Sequence, residues 1–169
     1  RQLRLMASNA ERLFRLVNQL MDFRKIETGN MQLRVSRDNI VDFLKEIKNA
    51  FNDFAKRHHI KYQFIASDDK IHMYYDHDKM DKIFYNLLSN AFKFTPSGGK
   101  IELSVLVQES SPAFKEGAFE IQISDTGIGI TSEDQEKIFE RFYQSGAGSK
   151  VDSSSGIGLT MAYEYVELH

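Results

Sequence analysis

Residues Ala118 to Asp125 alternate strictly. Phe119, Ile121 and Ile123 fall on one face, and Glu120, Gln122 and Ser124 on the other. This spacing predicts a half-buried strand. The strand breaks into Asp125-Thr126-Gly127-Ile128-Gly129-Ile130, where two glycines let the backbone come close to another group. Asp125 is the next member of the apolar row, so the pattern predicts a carboxylate aimed into the interior at the strand's end. A buried, unpaired carboxylate is costly, which calls for a donor partner, and a ligand amine would serve.

The rest of the chain supplies elements to pack against that strand. Leu3, Met6, Ala10, Leu13, Val17 and Leu20 alternate spacings of three and four, the rhythm of a bundle or coiled-coil seam. Leu16 and Phe23 widen this stripe, which favours more than two helices, although a helix packed on its own domain accounts for the same residues. The helix is expected to end near Thr28-Gly29-Asn30. A short strand, Gln32 to Val35, then precedes a helix from Asn39 with Ile40, Phe43, Leu44, Ile47, Phe51 and Phe54 on one face. Lys61 to Ile65 and Ile71 to Tyr75 read as strands. A helix starting near Asp78 buries Met80, Ile83, Phe84, Leu87, Leu88 and Ala91, and Thr95-Pro96-Ser97-Gly98-Gly99 ends it. Ile101, Leu103, Val105 and Val107 form a strand. It is joined to the Phe119 strand by a loop through Ser110-Ser111-Pro112, which suggests an antiparallel pair. These elements make an α+β, two-layer sandwich: a mixed, mainly antiparallel sheet with helices on one face, preceded by one long bundle helix. Gln144 to Ser155, rich in Ser and Gly, reads as a mobile loop.

Composition excludes several classes. With 169 residues the chain can bury one core and carry an appended helix. A net charge of -2, with no basic patch interleaved with aromatics, argues against direct nucleic-acid contact. Without cysteine there is no disulfide, thiolate nucleophile or cysteine zinc site. No apolar run reaches the ~18 residues of a membrane span. The chain opens at Arg1 and stops at His169 inside helical patterns, so it reads as part of something longer.

Two further groups carry chemistry. Asn86, Asn90 and Lys93 lie four and three residues apart and share one helical stripe at the rim of the apolar face. An asparagine oxygen is a competent hard ligand for Mg2+, and a lysine one turn on can meet phosphate oxygens; a solvated polar flank is the plain alternative. In Ser155-Gly156-Ile157-Gly158-Leu159-Thr160, glycines open a helical pattern, and N–H groups at a helix start bind phosphate well. A simple loop-to-helix junction explains that segment equally.

Taken together and in order, Asn86-Leu-Leu-Ser-Asn-Ala-Phe-Lys-Phe-Thr95, Asp125-Thr-Gly-Ile-Gly-Ile130, Ile138-Phe-Glu-Arg-Phe-Tyr143 and Gly156-Ile-Gly-Leu159 closely resemble the N box, first glycine box, F box and second glycine box of sensor histidine kinases. The opening helix, with Asn9-Ala-Glu-Arg-Leu13 and Asn18-Gln-Leu-Met-Asp-Phe-Arg-Lys-Ile-Glu27, is similar to the second helix of the dimerisation domain. Its wording is similar to that of large hybrid two-component sensors of gut Bacteroidetes. The resemblance implies two parts: 1–29 as that helix, without its first helix, and 30–169 as an ATP-binding catalytic domain of the Bergerat type, truncated at its C-terminus. Asp125 would accept a hydrogen bond from the adenine amine, with Thr126, Gly127 and Gly129 shaping that wall. Asn90 would hold Mg2+ against the phosphates of ATP, with Asn86 beside it. Lys93 would contact phosphate, which makes Asn90 and Lys93 the catalytic pair. Phe94 would border the base or belong to the core. Phe139 and Phe142 would anchor the closing loop, Gly156, Gly158 and Leu159 would line the phosphates, and Thr160 would stand beside them.

The implied partners are a phosphoacceptor histidine domain and a response-regulator receiver domain, in a homodimeric parent anchored in the inner membrane with this part in the cytoplasm. The departures are informative. The acceptor motif, His followed by an acid and later by Pro, is absent: His58, His59, His72, His77 and His169 stand in other contexts, so the chain alone is expected not to phosphorylate itself. Asp76-His77-Asp78 offers a weak metal cluster. Ser154 and Gln144 stand where glycine and a basic residue are common, leaving Arg141 or Lys150 as substitute phosphate contacts. The related gyrase and mismatch-repair ATPases would need a catalytic glutamate four residues before Asn90, and that position is Asn86. A non-catalytic module that dimerises and senses nucleotide is the other alternative.

Overall fold

The computed structural model describes residues 2–108, 118–144 and 156–169. The Ser110-Ser111-Pro112 loop and most of the Gln144–Ser155 loop, with Lys150 and Ser154, lie outside the described residues.

The long helix α1 (Gln2–Glu27) stops as its glycine predicts. Gly29 takes φ 65°, its N–H reaches the Ile26 carbonyl at 2.9 Å, and the Asn30 N–H reaches the Lys25 carbonyl at 2.8 Å. This pair of bonds is a Schellman motif, which satisfies carbonyls that the helix would otherwise leave open. The apolar stripe of α1 serves two purposes. Met6, Leu13, Val17 and Leu20 are exposed, whereas Phe23 is buried in the core and Leu16 and Ile26 pack against that core. Leu16 and Phe23 therefore do not widen a bundle seam. They dock the end of α1 on the body of the chain.

β1 (Ser36–Asn39) leads into α2 (Ile40–Ala50), and Asn39 caps α2 by accepting the Val41 N–H. The expected strand at Gln32–Val35 lies four residues too early. The Arg34 N–H bonds to the Asp76 carboxylate at 2.7 Å instead of to a sheet partner. The helix expected to run through Phe54 breaks at Phe51, whose N–H bonds to Lys48 in a tightened turn, and α3 (Asn52–Arg57) follows. β2 (Lys61–Ala66) and β3 (His72–Tyr75) precede α4 (His77–Phe94), which is capped by Asp76 rather than Asp78. β4 (Lys100–Gln108), β5 (Ala118–Asp125), the short α5 (Ser132–Gln135) and α6 (Gly158–Leu168) complete the order.

The strands form two sheets where the sequence suggested one. β1 pairs antiparallel with β3. β4 lies between β2, which is parallel to it, and β5, which is antiparallel. Ile101, Leu103 and Val105 of β4 are fully buried beneath the apolar faces of α2 and α4, joined by Met161, Ala162 and Tyr165 of α6. The two-layer α+β sandwich with helices on one face is the observed architecture.

Candidate functional site

α4 is the spine of the site. Asn86, Asn90 and Lys93 lie on it half-buried, as a rim stripe should be. Two glycine segments close on this helix from different parts of the chain.

The first glycine segment abuts the C-terminal end of α4. A Cβ on Gly127 would lie 2.7 Å from the Phe94 carbonyl oxygen and 2.6 Å from Asp125 Oδ1, so no other residue fits without movement. The Ile128 N–H donates to the same Phe94 carbonyl at 3.3 Å. Thr126 accepts the Lys100 N–H on its hydroxyl at 2.9 Å and returns its own N–H to the Lys100 carbonyl, locking the turn to β4. Gly129 takes φ 73° with open space where a Cβ would stand, so its requirement is conformational. Asp125 corrects an expectation. It is exposed, not interior, and its Oδ1 accepts the Gly127 N–H at 2.8 Å. It continues the apolar row in register with Ile101, but it sits at the open end of an outer strand, where the core has run out.

The second glycine segment meets the middle of α4. Gly158, the first residue of α6, would place a Cβ 3.1 Å from Asn86 Oδ1. Asn86 and Phe94 are eight residues apart, about 12 Å along the helix. The stripe thus has one glycine segment at each end and Asn90 and Lys93 between them. The Lys93 ammonium lies 5.1 Å from the centre of the Phe94 ring.

The F-box segment is tied in by backbone and hydroxyl contacts. The Phe142 N–H donates to the Gly156 carbonyl at 2.9 Å, and both residues have positive φ, 60° and 68°. Phe142 is exposed, and the Phe139 ring lies 5.5 Å from that of Tyr163 on α6. Thr160 is buried and donates its hydroxyl to the Phe139 carbonyl at 2.9 Å, so it fastens α6 to this segment; Leu159 is half-buried beside it. Arg141 does not face the site. Its guanidinium pairs with Glu27 at 3.0 Å and lies 3.9 Å over the Phe23 ring, both on α1.

The remaining candidates are engaged in structure. His77 pairs with Asp38 at 3.3 Å, Asp76 caps α4, and Asp78 bonds Lys79 and Lys82. No cluster of three potential metal-binding His, Cys, Asp or Glu residues exists among the described residues, which removes the Asp76-His77-Asp78 metal reading. His58 stacks on Phe54, and His169 accepts the Asp76 N–H on Nε2. Sequence reasoning did not foresee the Phe94 carbonyl or Lys100 as organisers of the first glycine turn. Both act through backbone atoms, which leave no side-chain signal.

A long helix thus docks on a two-layer sandwich whose polar helical stripe is framed by two glycine segments. The profile of the histidine kinase-, DNA gyrase B- and HSP90-like ATPases matches residues 75–169, over half the chain, and the chain belongs to that family. Histidine kinase P4 of Formosa agariphila is 39% identical over 173 aligned positions, covering 100% of this chain and 12% of its own length. The fold matches that of the Acinetobacter baumannii histidine kinase AdeS with a TM-score of 0.74 at 18% identity, covering 98% of this chain and 72% of that one. It matches full-length ShkA, solved in complex with AMPPNP, with a TM-score of 0.78 at 21% identity, covering 95% of this chain and 32% of that one. The chain carries an ATP-binding catalytic domain of the sensor histidine kinase type. It spans 12% of the length of that Formosa kinase, 11% of hybrid signal transduction histidine kinase D of Dictyostelium discoideum and 26% of sensor histidine kinase WalK of Bacillus subtilis. No helix among the described residues is long and apolar enough to cross a membrane.

Proposed function

We propose that this domain binds ATP along α4 and presents its γ-phosphoryl group to a histidine on a helical acceptor domain, in a two-component pathway that ends on a receiver domain. The observation that carries this reading is the framing of one polar stripe by two glycine segments about 12 Å apart along the helix, a span suited to a nucleotide laid lengthwise. Asp125, exposed and fixed by the Gly127 N–H through one oxygen, has its other oxygen to offer an adenine amine. Thr126, Gly127 and Gly129 shape that end, bordered by Phe94. Gly156, Gly158 and Leu159 line the phosphate end, and Thr160 positions them through Phe139.

The donor set at the phosphate end fits Mg2+. Asn86 and Asn90 supply neutral oxygen donors one turn apart, and Gly158 has no side chain to press on Asn86 Oδ1, 3.1 Å from where a Cβ would stand. When bound there, the ion neutralises charge on phosphate oxygens. Asn90 would hold it, with Asn86 beside it. Lys93 would meet phosphate oxygens. Positioning and charge neutralisation are what phosphoryl transfer requires of a protein. In the transfer, an imidazole nitrogen forms a bond to the γ-phosphorus as the bridging P–O bond breaks and ADP leaves. No carboxylate stands at Asn86 to activate water, which favours transfer over hydrolysis.

Three partner statements belong to the same reading. The acceptor histidine lies outside these residues, because His58, His77 and His169 are engaged in structure and none of the five has the acceptor context. The exposed seam of Met6, Leu13, Val17 and Leu20 supports a homodimeric helical bundle in the parent. The parent places this domain in the cytoplasm, anchored at a membrane. The test is to incubate the chain with γ-labelled ATP, Mg2+ and a separately supplied histidine acceptor domain. Label is expected on the acceptor and not on the chain. ATP binding without transfer to any acceptor would favour a nucleotide-sensing module instead.

A further inference from the structure

β2 is an outer strand of its sheet: β4 lies on one side, and among the described residues no strand lies on the other. The Lys61 and Ser67 N–H groups both turn to β4, donating to the Gly99 and Val105 carbonyls at 2.9 and 3.0 Å. Backbone groups alternate sides along a strand, so those of Tyr62, Phe64 and Ala66 point away from β4, to the open edge. Charge is divided along this edge. From Phe54 to Ser67 there is no acid. Lys56, Arg57, His59 and Lys61, all exposed, stand at the end where β2 begins, and Asp68 and Asp69, also exposed, stand where it ends. Lys45 reaches Asp69 at 3.4 Å, but the Asp69 side chain stays 90% accessible, so this ion pair is weak in water.

We propose that this edge is a self-complementary contact whose partner is a second copy of this chain, joined antiparallel across a two-fold axis. Two copies of an edge that is basic at one end and acidic at the other attract when they run in opposite directions and repel when they run in the same one. One register pairs all three outward residues: Phe64 faces Phe64, and Tyr62 faces Ala66. These three pack against the core, so on the face toward the helices a large side chain meets a small one on each side of the axis. On the solvent face Gln63 meets Ile65 and Lys61 meets Ser67, with no like charges opposed. The Asp68-Asp69 turn of one copy then follows beside Lys61 of the other, and the same contact recurs across the axis. A lysine on an open edge commonly keeps strands apart; this register gives Lys61 an acidic neighbour instead. β5, the other outer strand, has no such property. It carries Glu120 and Asp125 and no cation, so two copies would set acid beside acid. The contact is separate from the exposed seam of α1 and does not depend on the ATP reading.

The chain has no cysteine, so single thiols report on this edge alone. Gln63→Cys and Ile65→Cys are placed on the solvent face, at a half-buried and an exposed position. In the antiparallel register the two positions oppose each other within reach of a disulfide, whereas each lies about 7–8 Å from its own counterpart, which is too far. The variants are oxidised alone and as an equal mixture, circular dichroism confirms their folding, and mass spectrometry identifies the cross-linked dimers. The mixture is expected to cross-link at least about threefold more than either variant alone. Lys61→Glu, added to both, is expected to lower that yield by about three- to tenfold. Adding Asp69→Lys as well is expected to restore it, which a merely destabilised fold would not do. If the chain associates in sedimentation but the mixture gives no cross-link, association belongs to the α1 seam and the β2 contact is overturned. A chain that stays monomeric overturns it too. Equal cross-linking alone and in the mixture marks random collision and overturns the register. A yield unmoved by Lys61→Glu overturns the charge pairing that selects a second copy. Each of these outcomes leaves the ATP reading standing.

Discussion

Phe142 and Gly156 hold each other by one backbone hydrogen bond, 2.9 Å from the Phe142 N–H to the Gly156 carbonyl, with both residues in left-handed backbone. The pair fixes where the F-box segment leaves and where α6 begins. A Cβ on Gly156 would lie 2.7 Å from the Phe142 backbone, so Gly156→Ala meets a clash with main chain as well as a cost of about 1–2 kcal/mol for the left-handed conformation. The expected result is loss of the Phe142 bond and weaker nucleotide binding, with the core intact. Amide hydrogen exchange at Phe142 and calorimetry with ATP check both halves.

Thr160→Val keeps the shape of a buried side chain but removes its bond to the Phe139 carbonyl. Leaving that carbonyl unpaired should cost about 1–3 kcal/mol. Urea unfolding with an unchanged slope and an earlier midpoint is the expected observation. A fall in ATP affinity with unchanged stability would show instead that Thr160 contacts the nucleotide directly.

Asp22 makes the docking of α1 dependent on pH. Burial alone would raise its pKa, but the hydrogen bonds from Lys82 and Tyr165, with the charges of Lys82 and Lys79, outweigh burial and hold it below the usual aspartate value of 3.8. Lys25 lies 4.0 Å away on α1, and Asp78 shares Lys82. A carboxylate with a lowered pKa stabilises the fold fully above its usual value and loses that contribution as pH falls through the lowered one. Lys82 is raised: burial opposes this, and the bonds to Asp22 and Asp78 prevail, so its share persists through neutral pH and is lost only above the usual lysine value of 10.5. Docking is therefore expected to be firm at neutral pH and to weaken as pH falls below about 3.8. Asp22→Asn should cost about 1.5–3 kcal/mol at neutral pH and remove the acid-side dependence. Thermal unfolding of both proteins across that range is the check.

The interior was readable because its signals are local and redundant. Asn39 before Ile40 marked the start of α2, the alternation of Ala118–Asp125 gave β5 its bounds, and Gly29 ended α1. Two misses are local, the helix break at Phe51 and the cap at Asp76 rather than Asp78; the others are long-range. Gln32–Val35 alternates well enough for a strand, but Arg34 finds Asp76 instead of a sheet neighbour, and the ladder with β3 begins at Ser36. Asp125 shares the apolar row of its strand, yet only the three-dimensional edge decides that the row ends in solvent. Phe23 has the spacing of a bundle residue and is buried in its own domain, because α6 lies within reach. The stripe of Asn86, Asn90 and Lys93 was legible from spacing alone. The contact of Gly158 with Asn86 joins segments over seventy residues apart and leaves no trace in either.

Gly158→Ala is the mildest probe of that contact. The added methyl would stand 3.1 Å from Asn86 Oδ1, close enough that the amide must give way. Binding of ATP is expected to weaken severalfold with Mg2+ present and little without it. Matched titrations of the variant and its parent decide this, and equal weakening in both would place Asn86 away from the metal.

ATP binding by this domain turns on Asp125 as the proposed adenine contact, with Asn90 as the proposed magnesium ligand. Calorimetric titration of ATP into the parent, Asp125→Asn and Asn90→Ala, each with and without Mg2+, tests this directly. Asp125→Asn is expected to lose at least about tenfold in affinity in both conditions, as befits a lost bond to a charged acceptor. Asn90→Ala is expected to lose affinity chiefly when Mg2+ is present. Unchanged binding by Asp125→Asn, or an equal loss by Asn90→Ala with and without the ion, would contradict the account.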